Sequence, residues 1–278
     1  MAIRDLFLRR HEELVEVIPN TTSFLLNGIF SSNCPATVQR TLVLTVATLL
    51  KLLLLPPRQQ QQQQQHQHLH TLLKMTNSSK SLNILVTLLQ QLSQPHGGLT
   101  LEIHEKCHEQ YGKLYLEQTM HLAINIIQQK NIDEITLAAL SLLSEVLAWD
   151  FRFCGSSTTM QTSLPIFCPP AHWGPSLLNM NVLLIHCRNT LQPAKSIVDE
   201  CLLNLAGLHG DVFQRETEQA VFIDSLLRGI LLVTRDSNSV YVSSSIIAKA
   251  LANCKVEIYT QLPKDGEVLL LVFKMMCM

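Results

Sequence analysis

The chain has 278 residues, 47% of them hydrophobic, which is enough for one large domain or two small ones. Its 21 basic and 22 acidic residues nearly cancel, so the charge carries no footprint for nucleic acid or for an anionic membrane surface. Gly and Pro are few, at 10 and 11, alternating Val/Ile/Thr runs are scarce and leucine recurs at helical spacing, a composition that points to an all-α protein.

The first element, MAIRDLFLRRHEELVEV, is amphipathic and predicts a helix over 2–18. It lacks the small-residue cleavage site of a secretory signal, and Asp5, Glu12, Glu13 and Glu16 argue against a mitochondrial transit peptide. A short helix follows over 22–31, then a strongly apolar one over 36–55. Within the latter, TLVLTVATLLKLLLL (41–55) is interrupted by Lys51 and ends at Pro56-Pro57. A membrane span needs about 20 mainly apolar residues, so the segment reads as a buried core helix. The tract PPRQQQQQQQHQHLH (56–70) has little to bury and reads as a disordered insertion, with His66, His68 and His70 in solvent.

Helical periodicity resumes over 80–93 and stops at the breaker PHGG, 95–98. A long helix is expected over 104–129, opening on HEKCH (104–108). H-E-x-x-H on a helix sets two imidazoles on one face, where His104 and His108 would hold a zinc ion and Glu105 would act as general base on its water. A working centre needs a third protein ligand. The extended form of the motif wants Gly at 111 and His at 114, where the chain has Tyr111 and Leu114. Glu117, Glu134 and Glu145 are the downstream carboxylates, and none lies in a second motif. With mostly polar flanks, HEKCH reads as a polar helix start bearing two solvated histidines. No catalytic residue, metal ligand or cofactor is assigned; a zinc hydrolase built on HEKCH stands as a remote alternative.

The helix over 132–149 is expected to start in a capping box, with Asn131 and Glu134 three apart. Ile135, Ala139, Leu142, Val146 and Trp149 form one stripe along it. A Ser/Thr/Pro-rich loop over 152–173 leads to a helix over 174–191 with Leu177, Met180, Leu184, Cys187 and Leu191 on one face. Pro193 is placed to open a helix that runs to Leu208. Two more helices are expected near 214–234 and 238–253, and EVLLLVFKMMCM beyond Pro263 begins another. The cysteines at 34, 107, 154, 168, 187, 201, 254 and 277 form no C-x-x-C pair and read as reduced thiols.

Helices come in pairs. The first members begin near Ala36, Leu82, Ile132, Ala194 and Ser239, at intervals of 46, 50, 62 and 45 residues. Helical hairpins of the HEAT type repeat at about 40–47 residues, so the expected architecture is an α-solenoid of HEAT-like antiparallel hairpins in a right-handed superhelical array. The organisation expected is partial helical repeats over 1–55, the Gln/His insertion over 56–70 and HEAT-like repeats over 71–278.

ALSLLSEVLAWDF (139–151) and CLLNLAGLHGDVF (201–213) resemble segments of the exportin-4 branch of the importin-β/karyopherin superfamily. VQRTLVLTVATLLK (38–51) resembles the third helical repeat of those proteins, EIHEKC (102–107) falls in their fourth, and AIRDLFLRR (2–10) matches the middle of their N-terminal domain. The likeness runs from about Ala2 to Cys254. It implies a nuclear export receptor rather than an enzyme, one that shuttles between nucleus and cytoplasm. Its partners would be a protein cargo, the GTP-bound form of the GTPase Ran, and phenylalanine-glycine nucleoporins. The equivalent family segment keeps a His and a Cys like His104 and Cys107 but no second His like His108. Against the family the chain reads as a fragment, with weak or absent Ran binding and a tendency to self-associate. No GxxxxGK[ST] loop is present to bind a nucleotide. The other reading is a HEAT-type scaffold of a different pathway.

Overall fold

A computed structural model describes residues 6, 10–14, 16–31, 34–55, 62–94, 99–129, 133–151, 169–208, 212–213, 215–233 and 237–252. Among these residues every regular element is helical and no strand occurs. The chain divides by packing into two units, 1–162 and 163–278, a different division from the partition at 55 and 70.

Among its described residues the first unit contains a helical turn at His11–Leu14 and seven longer helices: α1 (Ile18–Ser31), α2 (Ala36–Leu53), α3 (Gln62–Lys74), α4 (Ser79–Ser93), α5 (Leu101–Leu114), α6 (Leu116–Gln128) and α7 (Glu134–Leu147). Of the helix expected over 2–18, residues 2–5, 7–9 and 15 lie outside the described residues, 16–17 form a turn, and α1 starts at Ile18 rather than at 22. Local chemistry sets several starts. Ser78 accepts from the Ser81 N–H at 3.3 Å and Thr100 from the Ile103 N–H at 3.4 Å. At α7 the cap is Asp133, which accepts from the Thr136 N–H at 2.8 Å, in place of the expected Asn131 box.

Two expected elements change. The single helix over 104–129 is two helices meeting at Tyr115 (φ −128°, ψ −23°). The Tyr115 N–H still donates to Tyr111 O and its carbonyl accepts from the Thr119 N–H, both at 2.9 Å, so the break is a bend without a loop. The tract at 56–70 is also corrected in part. Its residues 56–61 lie outside the described residues, but from Gln62 onward it is the start of α3, which Leu69 and Leu72 bury against α1, α2, α4 and α6. Two buried leucines at i, i+3 give the polar tract the apolar anchor that its composition hides.

Helix α1 pairs with α2 and α6 with α7, while α2 packs on α4 and α4 on α7. The seam is built from Val46, Leu49 and Leu50 of α2, Leu82, Leu85, Leu88 and Leu89 of α4, and Ala139, Leu142 and Val146 of α7, all fully buried. The helices that begin near Ala36, Leu82 and Ile132 are therefore the ones that stack, and those near Ala36 and Ile132 are the later members of their pairs, not the first as expected. Helix α2 is the one helix among the described residues long and apolar enough to cross a membrane, yet half of it is buried inside this unit.

The second unit holds α8 (Gly174–Thr190), α9 (Lys195–Leu205), α10 (Glu216–Val233) and α11 (Ser237–Ala252). A 3-10 turn at Ala171–Trp173 leads into α8; of the expected loop, 152–168 lie outside the described residues. The predicted face Leu177, Met180, Leu184, Cys187 and Leu191 is buried. Pro193 opens a 3-10 turn, Gln192–Ala194, and the α-helix begins only at Lys195. Helix α8 packs on α9 and α10, and α11 on α9 and α10. Gly229 of α10 permits that approach: a Cβ there would sit 2.2 Å from Ile185 Cδ1 of α8.

Candidate functional site: the buried cluster around HEKCH

Helix α5 turns an unusual face inward. His104, Cys107, His108 and Tyr111, at i, i+3, i+4 and i+7, are all buried, with His104 4% and His108 1% exposed. The expectation of two solvated histidines is overturned: the helix's charged residues sit on the opposite side, where Lys106 binds Glu102 at 2.6 Å and Lys113 binds Glu109 at 2.5 Å. The polar flanks that suggested exposure belong to that outer face. His, Cys and Tyr make the inner one, and they lower its apparent hydrophobicity without leaving the core.

His104 meets Lys51. The Lys51 ammonium, 2% exposed on α2, donates to His104 Nδ1 at 2.8 Å and to the Gln91 carbonyl of α4 at 2.7 Å. An ammonium has no lone pair, so Nδ1 must be the accepting nitrogen and the imidazole proton sits on Nε2. Gln91 in turn fastens α4 to α2. Its amide Nε2 donates to Leu44 O at 3.2 Å, and its Oε1 accepts from Thr48 Oγ1 at 3.2 Å. Leu44, Thr48 and Lys51 lie at i, i+4 and i+7, so one side of α2 supplies the whole polar seam.

His108 stacks on Trp149, ring centroids 3.9 Å apart and planes 17° apart. Tyr111 lies 5.7 Å from the same indole. The Tyr111 hydroxyl is 2.8 Å from Thr119 Oγ1, whose proton goes to Tyr115 O at 2.8 Å, so Tyr111 is the donor. His70 of α3 sets its ring edge-on to Tyr115 at 5.4 Å.

Burial governs the electrostatics. It lowers Lys51 from 10.5 to about 8, against a small opposing pull from Cys107. It pushes the Cys107 thiol up to about 12, far from the range of a reactive thiolate. It lowers His108 to about 4, helped by His104 and Lys51 and opposed by Asp150.

The chain matches no family model and no solved structure.

The geometry bears on the zinc reading. A metal ligated by His104 through Nδ1 would have to displace the Lys51 ammonium, and the site already carries that positive charge. The carboxylates considered as third ligands turn elsewhere: Glu117 lies 3.7 Å from His121 on its own helix, Glu145 accepts from Gln90 at 2.7 Å, and Glu134 is exposed at the start of α7. Among the described residues no group of three or more His, Cys, Asp or Glu is placed to hold a metal ion. In the Gln/His tract, His68 is half-buried 3.5 Å from Ser23 Oγ, and burial lowers its pKa.

Sequence reading located HEKCH and Trp149 but missed their partners, Lys51 and Gln91. The available signal was the lysine inside TLVLTVATLLKLLLL: a charge in a helix that must be buried requires buried acceptors.

The second unit has a polar cluster of its own. Arg188 of α8 donates from Nε to Asp199 Oδ1 of α9 at 2.5 Å and from Nη2 to Ser243 Oγ of α11 at 3.0 Å. Asn181 Nδ2 of α8 donates to Ser225 Oγ of α10 at 3.3 Å. Phe213, from the LAGLHGDVF segment, packs its ring 5.2 Å from Phe222.

Proposed function

We propose that the chain is part of a nuclear export receptor of the exportin type, in which stacked helical hairpins form a solenoid surface that binds protein cargo together with GTP-bound Ran. The observation that carries the reading is the order of packing in the first unit, α2 on α4 on α7, with the paired helices α1 and α6 flanking that series. The same rule, hairpin beside hairpin, relates α8 and α9 to α10 and α11 in the second. Repeating hairpins of this kind are how a solenoid is assembled. The segments that resemble exportins have structural work that fits such repeats: Trp149 closes α7 over α5, and Phe213 packs on α10. The burial of HEKCH on the inner face of α5 supports a packing role for it. Shuttling across the pore would use weak contacts with phenylalanine-glycine repeats, and no catalytic group or cofactor is called for.

The test is retention of the purified chain on immobilised Ran loaded with GTP or GDP, and on phenylalanine-glycine repeat peptide. The expected result is weak retention that is greater on GTP-loaded Ran, with measurable binding to the repeats. Equal retention on both forms of Ran together with no binding to the repeats would reject the reading.

A further inference from the structure

We propose that α5 is an acid-released segment: protonation of His104 and His108 inside the Lys51 cluster detaches it from α2 and from Trp149. The inference does not depend on the transport reading. It rests on the arrangement of groups. His104 Nδ1 accepts from an ammonium 2.8 Å away, so a proton arriving at Nδ1 replaces an acceptor by a donor and sets two cations against each other. One helical turn on, His108 is buried face to face with Trp149, where an imidazolium loses its water.

The charges around the pair decide the direction. From α2 comes Lys51, a cation; from α4 comes Gln91, neutral. From α5 itself come Cys107 and Tyr111, both held protonated by burial, and the half-buried Glu105. Tyr115, at the bend before α6, is likewise held protonated, and His70 of α3 touches it edge-on. Beyond α7, Asp150 is the acidic group that favours a charged His108, and it is outweighed by burial, His104 and Lys51. Acidification therefore adds positive charge to a site already holding one buried cation. The sign agrees: His108 takes its proton near pH 6.5 when exposed and only near pH 4 when buried, so between those values protons favour the released form.

Cys107 supplies the readout, because it lies on α5 and is fully buried. The intact chain is pulse-labelled with 4,4′-dithiodipyridine, which reacts with thiols in mild acid, at pH 7.5 and pH 5. Labelling is mapped by peptide mass spectrometry, with the buried Cys187 and Cys201 of the second unit as internal references. Labelling of Cys107 relative to the references should rise roughly thirtyfold at pH 5, the factor that the His108 displacement alone gives. His104→Gln with His108→Phe keeps an acceptor for Lys51 and a ring on Trp149 while removing both protonation sites; it should abolish most of the rise. Lys51→Met, which removes the cation but keeps both histidines, should move the transition to lower pH. An unchanged Cys107 rate between the two pH values in the natural sequence overturns the proposal. So does a rise that persists in the double variant and is unmoved by Lys51→Met.

Discussion

In the first unit the buried cation is Lys51, and both of its acceptors are neutral: a backbone carbonyl of α4 and an imidazole nitrogen of α5. In the second the buried cation is Arg188, 1% exposed, and its guanidinium meets the carboxylate of Asp199 and a serine hydroxyl. Each side chain joins three helices, so the mechanical role is the same. The electrostatics differ. Arg188 is compensated by an opposite charge. Lys51 is solvated only by dipoles, and burial brings its proton affinity down to about 8, within reach of physiological pH. A compensated pair carries its own counter-charge; an ammonium held by dipoles makes its unit responsive to protons.

The strongest way to break this contrast is to remove the compensating charge. Asp199→Ala leaves a guanidinium in the core that still donates to Ser243 but has lost its carboxylate, and unpairing a buried ion pair costs about 3–5 kcal/mol. Hydrogen exchange in α8, α9 and α11 should accelerate accordingly. The double replacement Arg188→Met with Asp199→Leu removes both charges and should recover most of that loss. If single and double variants are equally unstable, packing rather than charge pairing holds the second unit together.

The pH response comes next in size. Lys51 releases its proton near pH 8 in the fold and near 10.5 when exposed, so the unfolded form binds more protons between those values and the first unit gains stability as pH rises through them. Cys107, raised from 9.0 to about 12, works in the opposite direction above pH 9, and Tyr115, raised from 10.0 to about 12, does so above pH 10. Below pH 6.5, His108 removes stability down to about pH 4. The first unit should thus be most stable on the alkaline side of neutrality, by about 1 kcal/mol at pH 9 over pH 7. Hydrogen exchange corrected for the intrinsic rate, compared between α4 and α9, measures it. An optimum at or below pH 7 in α4 would show that Lys51 is not buried as a cation.

These two clusters were unequally visible in the sequence. Apolar stripes were read correctly where leucine and its relatives form them, as along α7 and α8, because period alone identifies a buried face. The stripe of α5 was missed because His, Cys, His and Tyr carry it, and each of these residue types is as common in solvent or in a site as in a core. Helix α3 was hidden for a related reason: two leucines at its end fix it, and a glutamine run precedes them. The pairing of Lys51 with Gln91 and of Arg188 with Asp199 spans different helices, and one-dimensional spacing has no access to it. What could be inferred was the need for a partner, not which residue fills it.

Lys51→Met should have the smallest effect on stability at pH 7. Two opposing terms are removed together. The ammonium's burial, which brings its pKa down to about 8, is relieved. Its two hydrogen bonds are lost, and the Gln91 carbonyl and His104 Nδ1 lose a charged donor. Methionine keeps the length and flexibility of the stem, so packing against α4 and α5 is largely preserved. Replacing a buried charge by an apolar residue of similar volume is often neutral, and the net change should lie within about 1 kcal/mol. The gain in stability between pH 8 and 10.5 should disappear with the lysine, leaving only the decline from Cys107 and Tyr115. Urea unfolding of the first unit, followed by hydrogen exchange in α4 at pH 7 and pH 9, separates the two effects. If Lys51→Met is as damaging as Asp199→Ala, dipoles compensate a buried ammonium as well as a carboxylate does, and the distinction between the two units is lost.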